Sequence, residues 1–303
     1  MRRPLLGLAI VALVAAACSN SSTTAPPAAT GSATQTAQQC AAGATLTTDG
    51  KLTVGTDSPA YAPYFQGGTE KGSQWDINDP NTGKGFESAV AYEIAKRMGF
   101  VPDKVTWVVV PFAQSYAPGP KQFDFDINQI SYSAKRAQEA DFSDSYYDVN
   151  QALVVVKGTP IASATSIADL AQYKLATQLG TTSADLIESY IGGTAGTYQT
   201  LRDAVAAVNA GQADGIVVDY PTALYMADPY VQEVKNSTVL AQFPTDAVPG
   251  GEHFGTVQAK GSALTPCIDL ALQEMKADGT LQAITNQWLS KKTNVGQVPL
   301  WSK

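Results

Sequence analysis

The sequence predicts an α/β fold made of two lobes, and three observations carry this prediction. Short apolar runs of strand length alternate with longer stretches of helical spacing, which is the pattern of layered α/β proteins. Hydrophobic residues make up 44% of the 303-residue chain and charged residues 16%, so it can bury substantial cores. About 260 residues follow position 43, a length that suits two domains of ordinary size.

Five apolar runs are predicted to be buried strands. Their predominantly hydrophobic character is typical of parallel sheets that are covered on both faces. The runs are residues 52–54, 105–110, 152–156, 175–179 and 216–218.

Five further stretches are predicted to be helices. In the first, Val90, Ile94 and Met98 fall on one face, and Gly99 ends the helix. A later stretch has Pro266 in its first turn, where a missing N–H is tolerated. The predicted helices are residues 86–98, 182–190, 201–209, 265–277 and 280–289.

The charge balance and the single histidine exclude several classes of function. With 27 acidic and 20 basic residues the formal charge is −7, so the general field would repel nucleic acid and anionic membrane surfaces. His253 is the only histidine, which excludes histidine-based triads and two-histidine metal sites within the chain. No dinucleotide, P-loop or nucleophile-elbow motif occurs, and we expect neither a metal nor a cofactor.

The N-terminus has the pattern of an export signal. Arg2 and Arg3 precede an apolar run over residues 5–17, which is too short to span a bilayer. Small residues lead directly into Cys18, and this resembles a bacterial lipoprotein signal that is cut before a cysteine whose sulfur is acylated. The alternative is an ordinary secretory signal with Cys18 incidental. We therefore expect a signal peptide at 1–17 and an extracytoplasmic protein anchored to the membrane only through lipidated Cys18.

A flexible tether is expected over residues 18–43. Its first part is rich in Ser, Thr, Ala, Pro and Gln, and no charged residue occurs between Arg3 and Asp49. Such a composition offers few large apolar groups to offset the entropy of ordering.

Two other cysteines, Cys40 and Cys267, remain in what reads as an exported chain, where oxidation is permitted. A disulfide between them would pin the start of the folded region to a late helix. The alternative is two separate buried thiols.

Several motifs occur in a fixed order along the chain. They are residues 52–57 with Tyr61 after them, 85–87, 128–136 leading to 141–147, 178–182 followed by 213–219, and 276–280. Together they resemble the family 3 extracellular solute-binding proteins, which are amino-acid receptors of ABC importers. The resemblance covers nearly all of residues 50–291.

The resemblance implies a type II periplasmic-binding-protein fold with two lobes joined by two crossover strands. Lobe one would comprise residues 44–147 and 253–303, and lobe two residues 152–244. The hinge would lie near 148–151 and 245–252. The ligand would bind between the lobes and close them, and a monomer is expected.

A free amino acid is a zwitterion, so a dry cleft has to supply one cation and one anion. Arg136 matches the family's carboxylate-binding arginine, and its planar fork suits a carboxylate; the alternative is a solvated arginine paired with an acid nearby. Thr182, at a helix start, would bind the same carboxylate from lobe two. Asp219 matches the aspartate that binds the ammonium. For Thr182 and Asp219 the alternative is a purely structural role as a helix cap.

The remaining candidate ligand residues lie in lobe one. Ser131, Asn128 and the backbone of Gln129 would add hydrogen bonds. The resemblance implies that the ligand side chain contacts Asp57, Tyr61 and Phe112. For Phe112 the alternative is a role in the hydrophobic core. An unpaired carboxylate at position 57 would disfavour an acidic side chain and favour an amide or a cation, so the expected ligand is a polar or basic amino acid.

Two rival functions stay open at this point. Cyclohexadienyl dehydratases resemble these receptors but use the cleft for elimination, and fold alone does not separate the two. A sensory ectodomain would normally continue into a membrane helix. We favour a non-enzymatic receptor that delivers its amino acid to an ABC transporter permease, and we interpret His253 as structural.

Overall fold

The computed structural model describes residues 35–248, 250–289 and 297–303. The predicted signal peptide, Cys18 and most of the predicted tether lie outside these residues. Within the described ranges, no helix is both long enough and apolar enough to cross a membrane.

Twelve strands occur in the described part of the chain, and all five predicted strands are among them. The sequence patterns missed the two-residue strands and several edge strands, which lack a continuous apolar run. The strands are β1 (Leu52–Thr56), β2 (Val105–Val109), β3 (Phe125–Asp126), β4 (Ala140–Phe142), β5 (Tyr147–Asp148), β6 (Gln151–Val156), β7 (Leu175–Gln178), β8 (Ala195–Tyr198), β9 (Gly215–Asp219), β10 (Ser237–Phe243), β11 (His253–Phe254) and β12 (Val257–Ala259).

The strands form two five-stranded sheets, one in each lobe. The first has the order β2-β1-β3-β12-β4 and the second the order β10-β6-β9-β7-β8. Both sheets are mixed, whereas the sequence indicated parallel pairing: β12 is antiparallel to its neighbours, and β6 is antiparallel to β9 and β10. The reason is that β6 enters its sheet directly from a crossover, at the edge where β9 ends, so Gln151 lies opposite Asp219.

The two crossover strands pair with each other between the sheets. β5 and β11 form an antiparallel ribbon in which His253 lies opposite Asp148 and Phe254 opposite Tyr147. The backbone N–H of Val149 also donates to the carbonyl of Glu252 at 3.1 Å. The ribbon lies at the border of the hinge predicted at 148–151 and 245–252, with Asp148 the one ribbon residue inside those bounds.

Eight α-helices are described, and they include all five predicted ones. The stretch predicted at 182–190 is a short α-helix that continues as a π-helical turn over Leu186–Ile191. The helices are α1 (Ala37–Ala41), α2 (Phe86–Arg97), α3 (Phe112–Ser115), α4 (Thr182–Asp185), α5 (Leu201–Asn209), α6 (Tyr220–Met226), α7 (Thr265–Ala277) and α8 (Thr280–Trp288).

Helix α1 lies within the segment that the sequence assigned to the tether. Thr36 and Gln39 form a reciprocal capping box at its start, and Cys40 is joined to Cys267 on α7 with the two Cα atoms 5.2 Å apart. The disulfide prediction is confirmed, and the ordered region begins before residue 44. Composition missed this because a cap and a covalent link, rather than large apolar side chains, hold the helix.

The C-terminal segment 297–303 packs on lobe two, although the sequence placed it with lobe one. The backbone of Gln242 on β10 donates to Pro299 and accepts from Trp301, each at 2.8 Å. Val298 is buried in the core on one face of the lobe-two sheet, and Trp301 packs against the core on the other face. An edge strand with unpaired backbone groups accepts such a segment readily, and no motif in the tail indicates this pairing.

A buried carboxylate supports the loop after β3. Glu87 on α2 is 0% exposed and accepts hydrogen bonds from the backbone N–H of Gln129 at 2.7 Å, from the Gln129 side-chain amide, and from the Tyr146 hydroxyl. Gln129 has a positive φ of 48°, which is unusual for a residue other than glycine. Burial raises the pKa of Glu87 to about 7.

We predict that replacing Cys40 and Cys267 together by serine lowers the free energy of unfolding by about 2–5 kcal/mol, because the bridge closes a very long loop of the unfolded chain. Urea unfolding of the double variant and the wild type measures this. The same comparison under reducing conditions, where the wild type also lacks the bridge, is the control and should remove most of the difference. Equal stability of the oxidised wild type and the double variant would contradict the prediction.

We predict that Glu87 makes the protein less stable as the pH rises. The pKa is about 7 in the folded protein against an ordinary 4.5, so the stabilisation is complete below pH 4.5 and is lost as the pH rises through 7. The shift corresponds to about 3 kcal/mol. Urea unfolding between pH 4.5 and 8 should show the wild type losing stability relative to Glu87→Gln, and parallel pH profiles would refute this assignment.

Candidate functional site

A cavity of about 450 Å³ lies between the two lobes, and all nine ligand residues predicted from the sequence line it. Most of them follow the carboxyl end of a strand, which is where ligand sites of open α/β sheets occur. The lobe-one residues are Asp57, Tyr61, Phe112, Asn128, Gln129, Ser131 and Arg136, and the lobe-two residues are Thr182 and Asp219.

Arg136 connects the two lobes directly. Its side chain is buried, and it donates one hydrogen bond to the carbonyl of Ser131 in lobe one and another, of 2.7 Å, to the carbonyl of Gly180 in lobe two. The guanidinium carbon lies 4.4 Å from the centre of the Tyr116 ring, within cation–π distance. The solvated-arginine alternative does not describe this side chain, since its donors face the interface between the lobes.

Gly180 is a meeting point of the lobes that the sequence motifs did not identify as a contact. Its carbonyl accepts from Arg136 and also from the Tyr116 hydroxyl at 3.1 Å. Its φ is 79°, and a Cβ atom built there would lie 2.7 Å from that hydroxyl. Only glycine fits both the backbone conformation and the close approach.

Thr182 is buried at the first turn of α4, but it does not cap that helix. Its hydroxyl donates to the carboxylate of Glu252 at 2.7 Å and lies 3.5 Å from the hydroxyl of Ser131. The hydroxyl proton that we expected to face a ligand is therefore bound by Glu252. The backbone N–H at the helix start is the group of Thr182 left to meet an anion.

Asp219 ends β9, and its side chain makes no cap on α6. Instead its Oδ1 accepts from the side-chain amide of Gln151 at 2.8 Å. Burial raises the pKa of Asp219 well above its ordinary value, and the nearby carboxylate of Glu252 adds to the effect, whereas Arg136 opposes it. A cationic group beside Asp219 would stabilise the ionised form.

Asp57 is already partly satisfied by the protein, contrary to the unpaired carboxylate assumed from the sequence. Its two oxygens accept from the backbone N–H of Ser58 at 2.8 Å and of Phe112 at 3.3 Å. A carboxylate has about four acceptor positions, so Asp57 keeps capacity for a further donor. Burial raises its pKa, and these two hydrogen bonds act in the opposite direction.

The aromatic side chains at the lobe-one end have mixed roles. Phe112 is half-buried and packs edge-on against Tyr116 beside a small apolar cluster, so its core role is real even though it lines the cavity. Tyr61 contacts Arg202, which pairs across the lobes with Asp76. Both partners of that pair are about half exposed, so it contributes little stability.

The sequence reasoning missed Gln151 and Glu252, which do not line the cavity but hydrogen-bond to residues that do. Both lie in the predicted hinge, and no motif there suggested that a side chain would contact the site. It also missed several residues that line the cavity, among them Thr177, Gln178, Gln199, Arg202 and Thr222. The neighbouring His253 stacks on Tyr132 with ring centres 5.4 Å apart, as expected for a structural histidine. In the described residues, no group of three or more His, Cys, Asp or Glu side chains is arranged to hold a metal ion.

Comparison with known proteins gives relatives of one kind. The chain is 28% identical over 220 residues to the ABC transporter glutamine-binding protein GlnH of Bacillus subtilis (strain 168), a match that covers 71% of this chain and 77% of GlnH.

Solved structures agree with this. An ancestral arginine-binding protein bound to arginine superposes with a TM-score of 0.63 at 28% identity, covering 79% of this chain and 98% of that one. The ancestral amino-acid-binding protein AncCDT-1, a precursor of cyclohexadienyl dehydratase, gives a TM-score of 0.61 at 28% identity, covering 79% and 95%. The type II periplasmic-binding-protein fold is thereby confirmed.

The family model for bacterial extracellular solute-binding proteins, family 3, matches residues 67–291, most of the described chain. That range contains seven of the nine cavity residues predicted from the sequence, all but Asp57 and Tyr61, together with Gln151, Gly180 and Glu252. The chain belongs to family 3 of the bacterial extracellular solute-binding proteins.

Proposed function

We propose that this protein binds one free amino acid in the cavity between its lobes and delivers it to the permease of an ABC importer. The observation that carries the proposal is that Arg136 and Asp219, a basic and an acidic side chain, line the same cavity from different lobes. A zwitterion offers the complementary pair of charges. Relatives named for glutamine and arginine binding support this assignment.

The carboxylate of the ligand would lie against Arg136 and the backbone at the start of α4. Arginine has five N–H donors, and the bonds to Ser131 and Gly180 leave others for a ligand. The ammonium would lie against Asp219, which would then be held ionised. Ser131, Asn128 and the backbone of Gln129 would complete the hydrogen bonds.

The ligand side chain would extend toward Asp57, Tyr61 and Phe112. Asp57 favours a donor, either an amide or a cation, and an acidic side chain would face like charge. We therefore propose a polar or basic amino acid.

The setting of the protein is part of the same proposal. We propose that residues 1–17 are removed as a signal peptide, that lipidated Cys18 anchors the monomer to the outside of the cell membrane, and that it does not catalyse a reaction. Globomycin, which inhibits lipoprotein signal peptidase, should then cause the unprocessed form to accumulate.

The second candidate is a cleft enzyme on the same scaffold. The similarity to a precursor of cyclohexadienyl dehydratase favours considering it. So does Glu252, a buried carboxyl group in addition to Arg136 and Asp219, because burial raises the pKa of Glu252. Incubation with prephenate or arogenate, followed by mass detection, separates the two: product formation would support the enzyme and contradict the receptor.

We predict that a polar or basic amino acid raises the melting temperature of the protein. A ligand bound only by the folded state stabilises it by about 4 kcal/mol at a thousandfold excess over its dissociation constant, which is a shift of several degrees. A thermal-shift panel of the twenty amino acids measures this. Shifts with none of them would overturn the proposed function, and a shift only with aspartate or glutamate would overturn the role of Asp57.

We predict that Arg136→Met folds but binds its amino acid at least a hundredfold more weakly, because a buried carboxylate loses its partner at a cost of about 3–5 kcal/mol. Calorimetric titration measures the loss. Lys104→Met, which removes the same charge from an exposed position, is the matched control and should bind like the wild type. Wild-type affinity in Arg136→Met would refute the assigned role.

A further inference from the structure

Each crossover segment, meaning the chain next to β5 or β11 where it passes between the lobes, carries one polar side chain that contacts the lobe-two part of the site. Gln151 is the first residue of β6 and is 1% exposed, and Glu252 precedes β11 and is 2% exposed. Both side chains point their hydrogen bonds away from the hinge and toward groups that line the cavity.

Gln151 holds two lobe-two groups at once. Its amide nitrogen donates to Asp219 at 2.8 Å, and its amide oxygen accepts from the hydroxyl of Ser183 at 2.6 Å. Both bonds use the amide in one orientation, so a flipped amide would break both. The carboxylate that faces the proposed ammonium is therefore oriented by a residue of the first crossover.

Glu252 holds the other half of the site. Its Oε1 accepts from the Thr182 hydroxyl at 2.7 Å, while Oε2 is buried near Ser131 and Gln151 and makes no hydrogen bond of good geometry with any described residue. An unsatisfied buried carboxylate oxygen is costly, and such a group calls for an explanation beyond packing. The start of α4, which faces the proposed ligand carboxylate, is oriented by a residue of the second crossover.

We propose that Gln151 and Glu252 are positioning residues that couple the bend of the crossover ribbon to the two ends of the amino-acid site. The backbone bond between Val149 and Glu252 joins the crossovers to each other. A change in the bend moves both side chains together, and with them Asp219 and Thr182. The coupling rests on the proposed function, since it presupposes that these two residues meet a ligand.

The coupling is tested by a double-mutant cycle between Glu252 and Thr182. The variants are Glu252→Leu, Thr182→Val and the two combined, each titrated by calorimetry with whichever of L-arginine and L-glutamine the wild type binds more tightly. Each single variant should weaken binding about tenfold or more. Because both break the same hydrogen bond, the double variant should bind within about threefold of the weaker single variant.

Two further variants separate positioning from general destabilisation. Glu252→Gln keeps a carbonyl acceptor for Thr182 and should restore most of the affinity lost in Glu252→Leu. Asp57→Asn, at the opposite end of the cavity, should combine with Glu252→Leu additively. If Glu252→Leu does not fold, Glu252→Ala removes the same acceptor with a smaller side chain and takes its place in the cycle.

The first crossover is tested in parallel with Gln151→Leu. This variant removes both the donor to Asp219 and the acceptor for Ser183, and it should weaken binding about tenfold or more. Gln151→Leu with wild-type affinity would overturn the coupling for the first crossover.

Additive effects of Glu252→Leu and Thr182→Val, or equal losses in Glu252→Leu and Glu252→Gln, would overturn the coupling for the second crossover while leaving the receptor function intact. Wild-type affinity in Thr182→Val would do the same, since Glu252 would then have nothing to position. A wild-type protein that binds no amino acid would instead overturn the proposed function.

Discussion

The rest of the site depends on the hydrogen bonds that the guanidinium of Arg136 makes to both lobes. The guanidinium is a buried cation, and the carbonyls that receive its hydrogen bonds belong to different lobes. A charge in this position needs partners on all sides, because desolvation without them costs several kcal/mol. Gly180 and Tyr116 supply such partners. The carbonyl of Gly180 accepts a hydrogen bond from the guanidinium, and the ring of Tyr116 presents its π-face to it. The cavity lies beside these groups and has room for a small ligand.

The sequence predicted the parts of the fold that depend on local pattern. All five apolar runs are strands and all five amphipathic stretches are helical, because periodicity reports which faces are buried. It missed β3 and β10, the antiparallel direction of β6, helix α1 and the docking of the C-terminal segment. These features arise from pairing between distant segments or from a single cap, and neither leaves a periodic signal.

The candidate site divides in the same way. The nine candidate ligand residues all line one cavity, and most of them come from family motifs, which retain the order of strand ends along the chain. Gln151 and Glu252 lie in the hinge, where no motif applies, and their roles follow from three-dimensional neighbours alone. The closeness of two carboxyl groups was also not visible in the sequence. Asp219 and Glu252 are far apart in the chain, yet the charge of one raises the pKa of the other.

The bond between Cys40 and Cys267 also has a mechanical consequence. It joins α1 to α7, a helix that packs in the lobe-one core. Tension applied to the polypeptide upstream of residue 35 therefore enters lobe one through two helices and the covalent bond between them. Lobe two and its part of the cavity are connected to that point through lobe one.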